Sequence, residues 1–110
     1  MTDYIQVVTT TDSKDAARKI ADYLIEKRVA ACVQISEPVQ SRYRWQGKME
    51  SATEFVLSIK SRQDLFGEIA DLITSLHSYD VPEILSFRIE QGSSDYLAWL
   101  DKELRQKNDS

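Results

Sequence analysis

Apolar residues along the chain switch between a spacing of two and one near 3.6, and each switch marks an element. Tyr4 to Thr10 is β-branched and rich in Val, which predicts a strand. Thr11-Asp12-Ser13 then supplies a helix N-cap, and Asp15 stands where a carboxylate complements the helix dipole. From Lys14 to Arg28, Ala17, Ile20, Ala21, Leu24 and Ile25 recur at helical spacing, with Lys27 and Arg28 as closing cations. A second strand covers Ala30 to Ile35 and resumes after Pro38 through Trp45. Glu37-Pro38 bulges or kinks it, because proline cannot donate to a ladder. Gln46-Gly47-Lys48 turns the chain, and a third strand descends to about Lys60. Ser61 caps a second helix whose stripe is Leu65, Ile69, Leu72, Ile73 and Leu76. After the loop His77-Ser78-Tyr79-Asp80-Val81-Pro82 comes a fourth strand, Glu83 to Glu90. Ser93 or Ser94 caps a final helix carrying Tyr96, Leu97, Trp99, Leu100 and Leu104, and the polar tail from Arg105 frays.

This order, β-α-β-β-α-β with an added C-terminal helix, predicts an α+β fold: a ferredoxin-like split β-α-β sandwich. The helices are expected on the sheet face made by Phe55, Leu57, Ile59, Leu85 and Phe87. Gln6, Val8, Val56, Ser58, Ser86 and Arg88 then form the other face, a mixed surface suited to packing against further sheets. The hairpin of the second and third strands is too long for one small domain to cover. An uncovered arm carrying Tyr43 and Trp45 implies that another subunit covers it.

Length and composition narrow the class. One domain, residues 1–110, is expected, with a single modest core. A hydrophobic share of 42% and a charged share of 29% describe an ordinary globular chain rather than a disordered one. No stretch approaches the roughly 18 apolar residues of a membrane span, and the start lacks the pattern of a signal peptide. Cys32 is the single cysteine, which excludes an intrachain disulfide and fits a reducing, cytoplasmic setting. The net charge of −4, without a clustered excess of Lys and Arg, argues against a nucleic-acid partner. Arg42 and Arg44 do alternate with Tyr43 and Trp45, but alternating faces of a hairpin produce that pattern equally.

Several spaced motifs together resemble the CutA family of divalent-cation tolerance proteins. They are Ile20-Ala21, Arg28-Val29-Ala30-Ala31-Cys32-Val33, Ser41 through Lys48, Ile59-Lys60, His77 through Ile84, and Gly92 with Tyr96 through Leu100. One departure is Ser78, where the family usually has proline. The resemblance implies a homotrimer whose long hairpins join sheets across subunit boundaries, similar to PII-type signalling trimers. It also implies divalent-cation tolerance and copper binding, without an established catalytic activity.

Topology brings the end of the first strand, His77 at the exit of the second helix, and Glu83 to one rim, from which the hairpin also rises. A ligand cleft is expected there that holds His77, Tyr79 and Glu83, with Tyr43 and Trp45 as its aromatic wall. Imidazole with carboxylate suits borderline divalent metals, copper(II) most strongly. His77 reads equally as a helix C-terminal residue bonded to the last carbonyls. Cys32 falls near the opposite rim. As a thiolate it binds soft metals such as copper(I), and otherwise it is a small buried hydrophobe. No C-x-x-C or paired-His spacing marks a structural zinc site. No Gly-rich phosphate loop or identifiable triad marks an enzyme. The alternative to metal binding is a PII-like trimeric regulator that senses an anion or nucleotide between subunits. Arg42, Arg44 and Lys48 would then be its cations.

Overall fold

A computed structural model describes residues 3–106. Along the chain run β1 (Tyr4–Thr11), α1 (Lys14–Glu26), β2 (Cys32–Ile35), β3 (Val39–Trp45), β4 (Lys48–Arg62), α2 (Phe66–Leu76), β5 (Ile84–Arg88) and α3 (Ser94–Glu103), with a 3₁₀ turn, Gln63–Leu65, before α2. The strand order is β2-β4-β1-β5, with β3 pairing the upper half of β4, and every pairing is antiparallel. The result is an open antiparallel sheet with helices packed on it. The polar tail beyond Gln106, and Met1 and Thr2, lie outside the described residues.

Local chemistry accounts for the element boundaries. Ser13 is extended and its Oγ accepts the Ala16 N–H at 3.2 Å, starting α1 as a capping serine does. The end of α1 departs from the expected run to Arg28, because Arg28 adopts φ 59°. Its N–H reaches the Ile25 carbonyl at 3.0 Å and the Val29 N–H reaches Leu24 at 3.1 Å, the bond pair of a Schellman ending. A left-handed arginine costs on the order of 1 kcal/mol relative to glycine. The side chain offsets that cost: Nε and Nη2 donate to the Glu103 and Lys102 carbonyls at 2.9 Å each, capping the C-terminal end of α3.

Between β2 and β3 the ladder is interrupted at Ser36–Pro38. Ser36 bridges the break, its N–H donating to the Val56 carbonyl and its Oγ accepting the Val56 N–H, both at 2.9 Å. The hairpin tip is a two-residue turn, Gln46 (φ 50°) and Gly47 (φ 81°), with Trp45 opposite Lys48. Ser61 does not cap α2. It belongs to β4, which runs two residues further than expected, and its Oγ donates to the buried Val29 carbonyl at 2.6 Å.

One side of the sheet carries the core. Ile5 and Val7 of β1 and Leu57 and Ile59 of β4 are buried against Ile20 and Leu24 of α1 and Ile69 and Ile73 of α2. The expectation for β5 is overturned. Leu85 pairs with Val8 and Phe87 with Gln6, so both lie on the open face, 49% and 53% exposed. Ser86 and Arg88, opposite Val7 and Ile5, stand on the helix side. A period of two fixes which residues share a face, but not which face meets the core. The row Cys32–Lys60–Gln6–Phe87 therefore crosses the open face from edge to edge.

At the lower end of that face, α3 is tied down by charge. Arg62, almost fully buried, pairs with Asp64 in a two-pronged contact of 2.8 and 3.2 Å. It also reaches Asp101 Oδ1 at 3.1 Å and the Arg105 carbonyl at 2.8 Å. Arg105 in turn pairs with Glu68 of α2. The Tyr4 hydroxyl is held above its ordinary value, first by burial and then by the Asp101 carboxylate.

The β3–β4 arm projects beyond this body. A radius of gyration of 14.7 Å exceeds the roughly 13 Å of a compact chain this long, and the longest dimension is 44 Å. Trp45 and Met49 near its tip are among the most exposed large side chains.

Candidate functional site

At the root of the arm the upper rim opens into a cleft of about 640 Å³, within the range of small-molecule sites. Each wall has a local reason for its position. The alternation of β3 turns Ser41, Tyr43 and Trp45 to one side. Glu54 lies on that side too, at the level where β4 passes from the arm into the sheet. The 77–83 loop supplies Tyr79, Asp80, Val81 and Glu83, and Thr10 at the end of β1 lies at the cleft's base. Tyr43, Trp45, Tyr79 and Glu83 thus line one space.

Glu54 is the residue that reading the sequence missed. It is 8% exposed, and the Tyr79 hydroxyl donates to its Oε2 at 3.0 Å. Oε1 accepts no hydrogen bond among the described residues. Burial first, then the Glu54 hydrogen bond and charge, push the Tyr79 hydroxyl well above its ordinary value, with Asp12 and Tyr43 adding to the effect. The available signal was an acid at a half-covered strand position, beside Val56 on the same face and with no cation opposite.

His77 stands behind this wall rather than in it. It follows the last residue of α2 in an extended conformation. The Tyr79 N–H donates to its Nδ1 at 3.0 Å, which leaves the proton on Nε2, and Nε2 donates to the Thr10 carbonyl at 2.6 Å. Both ring nitrogens are engaged, and the ring lies 4.7 Å from that of Tyr79. The imidazole pins the loop to β1 and sets the place of Tyr79. Its partner carbonyl belongs to a strand, not to the end of its own helix.

Cys32 is far from this rim. It pairs with Lys60, four positions along β4 from Val56, the partner of Thr10, a separation of about 13 Å along the strand. It is half-buried beside Tyr96, whose hydroxyl is raised first by burial and then by the thiol. Cys32 and His77 therefore cannot share a metal within one chain. Among the described residues no three His, Cys, Asp or Glu side chains are grouped to hold a metal ion. Of the hairpin cations, Arg42 borders the cleft, and Lys48, opposite Trp45, lies on the face of the arm that carries Tyr43 and Trp45. Arg42 reaches Met49 Sδ at 3.4 Å and Arg44 the Gly47 carbonyl at 3.4 Å, on the side of the arm opposite Tyr43 and Trp45.

An open antiparallel sheet with helices packed on it and a hairpin arm over a rim cleft define a class of α+β protein already known in several kingdoms. Residues 5–103 match the family described as CutA1 divalent ion tolerance protein, and the chain belongs to that family. The divalent-cation tolerance protein CutA of Archaeoglobus fulgidus is 41% identical over 96 residues, covering 87% of this chain and 93% of that one. The chloroplastic protein CutA of Arabidopsis thaliana is 38% identical over 101 residues, 92% of this chain but only 56% of its own length. The solved structure of the divalent cation tolerance protein from Thermus thermophilus superposes with a TM-score of 0.90 at 37% identity, covering 93% of this chain and 99% of the other. These names describe tolerance of divalent cations rather than a catalysed reaction. Among the described residues no helix is long and apolar enough to cross a membrane.

Proposed function

We propose that this chain is a single CutA-like domain, residues 1–110, that acts as a homotrimer in divalent-cation tolerance by binding copper, without catalysing a reaction, in the cytoplasm. On this reading the sheet is that of a ferredoxin-like split β-α-β sandwich. Three copies assemble in the PII-like manner, with the long hairpins reaching across subunit boundaries. The observation that carries it is the open face: Leu85 and Phe87 stand about half exposed, Phe87 in the row that begins at Cys32, on a chain whose relatives are named for divalent-cation tolerance. A monomer this small gains by covering such a surface.

Association also suits the metal. Cys32 and His77 are the candidate ligands, and a site built on either takes further donors from a neighbouring copy. Thiolate at Cys32 favours copper(I), while His77 would first give up one of its backbone bonds. The anion-sensing alternative would draw on Arg42, which borders the cleft, and on Lys48, which shares the face of Tyr43 and Trp45, but the cleft's other charged groups are the carboxylates of Glu54, Asp80 and Glu83.

Copper titration of the assembly by calorimetry, with its mass read by light scattering, tests the proposal. The expected result is a trimer with saturable binding at a whole-number ratio, weakened in Cys32→Ser or His77→Ala. A monomer, or unchanged affinity in both variants, rejects it.

A further inference from the structure

The last helix is fastened to the molecule in a different way from the first. α1 buries Ala17, Ile20, Ala21 and Leu24 along its length. Of α3 only Leu100 is buried in the core, joined by Leu104 just past its end. Tyr96 and Trp99, each 43% exposed, lie against one another with ring centres 5.6 Å apart. The polar attachment of α3 gathers between Asp101 and Arg105. Arg62 holds the Asp101 carboxylate and the Arg105 carbonyl, and Arg105 pairs with Glu68. Arg28 holds the carbonyls of Lys102 and Glu103, and its own carbonyl accepts the Arg105 N–H at 2.9 Å.

The two ends of the helix therefore differ. Its N-terminal end continues from residues 91–93, which are exposed, just past Ile89, whose N–H donates to the Tyr4 carbonyl. Its C-terminal end is clasped. Arg28 is the strained half of that clasp, because a left-handed backbone is unfavourable for a residue with a Cβ. Three of the bonds share this one residue, so they form or break together. An element held by few apolar contacts opens below the free energy of global unfolding.

We propose that α3 is a strap across the lower end of the open face, hinged at residues 89–93 and latched at its far end by Arg28. When it opens, Arg62 loses its partners on α3, and Tyr96 leaves its place beside Cys32. The latch stands four residues before Cys32, so the state of α3 is also passed to the start of β2. Access to this edge of the face is thereby set by a helix that moves as a unit. The device belongs to the fold of one chain and does not depend on copper.

Native-state hydrogen exchange of the full chain in its own assembly, without added metal, tests it. Amides of α3 should exchange about tenfold or more faster than those of α1 and of β4 within the sheet. Arg28→Gly keeps the left-handed turn, which glycine favours, and removes both guanidinium bonds. It should speed α3 exchange by about a further tenfold and leave α1 and β4 within about twofold. Asp101→Asn, on the strap's side of the clasp, should act in the same direction by a smaller factor. Labelling of Cys32 by iodoacetamide should rise with α3 exchange in both variants. The proposal is overturned by α3 exchanging in step with β4, or by α3 rates unchanged in both variants. Equal acceleration of all three elements, or Cys32 labelling that stays constant while α3 opens, would overturn it as well.

Discussion

Two buried charges stand on the same side of β4, eight positions apart, and their surroundings differ completely. Arg62 at the lower rim meets two carboxylates and a backbone carbonyl, and its partners come from the strand's own end and from α3. Glu54 at the upper rim has one hydroxyl partner and faces an open cleft. A buried charge with its bonding capacity met holds structure together. The same strand thus carries one pole closed by ion pairs and another that borders an open cleft.

Removing the structural charge should have the largest effect. Arg62→Met keeps the apolar stem but strands Asp64, Asp101 and the Arg105 carbonyl. We expect a loss of about 2–3 kcal/mol in urea unfolding, below the roughly 3–5 kcal/mol of a fully buried pair because both carboxylates retain access to water. A loss near zero would erase the distinction between the two poles.

Tyr79→Phe is the intermediate case. It deprives Glu54 of its hydrogen bond and should cost about 1–2 kcal/mol at neutral pH. It should also change the alkaline limb of stability. Tyr79 is favoured neutral in the folded chain, so its contribution is complete below pH 10 and declines as pH rises above it. Tyr4 and Tyr96 are shifted in the same direction, so the variant should show a shallower decline rather than none. An unaltered slope in thermal melts above pH 10 would remove Tyr79 from this role.

Smallest of all should be the stability effect of Glu54→Gln. Gln still accepts from Tyr79, and its amide replaces an oxygen with no hydrogen bond among the described residues, so the change should stay within about 1 kcal/mol. Taken with the Arg62 variant, that result would sharpen the contrast between a charge that ties elements together and one that borders the cleft.

Much of the fold was legible because its signals are local. The N-cap at Ser13, the helical stripe of α1 and the alternation through Phe55, Leu57 and Ile59 each need only a few residues of context. The face of β5 was not legible. Leu85 and Phe87 alternate as cleanly as a core strand does, and only the register with β1 shows them turned outward. Arg28 was read as a helical cation because glycine is the usual left-handed residue. Its compensating bonds lie more than seventy residues away, at Lys102 and Glu103. In the cleft, Tyr43, Trp45, Tyr79 and Glu83 could be gathered by topology alone. Glu54 escaped because its partner, Tyr79, is remote in sequence, and His77 was assigned to the wall because both of its bonds are to backbone groups.

The continuity of β4 also has a mechanical consequence. Fifteen residues run without a break from the core to the arm, nearly the length of the molecule. The arm above Glu54 is some 20 Å long, so a tilt of about 5° at that level would carry Trp45 roughly 2 Å. The aperture of the cleft is therefore geared to the twist of one stiff ribbon, and small torsions at its root become ångström-scale movements at its mouth.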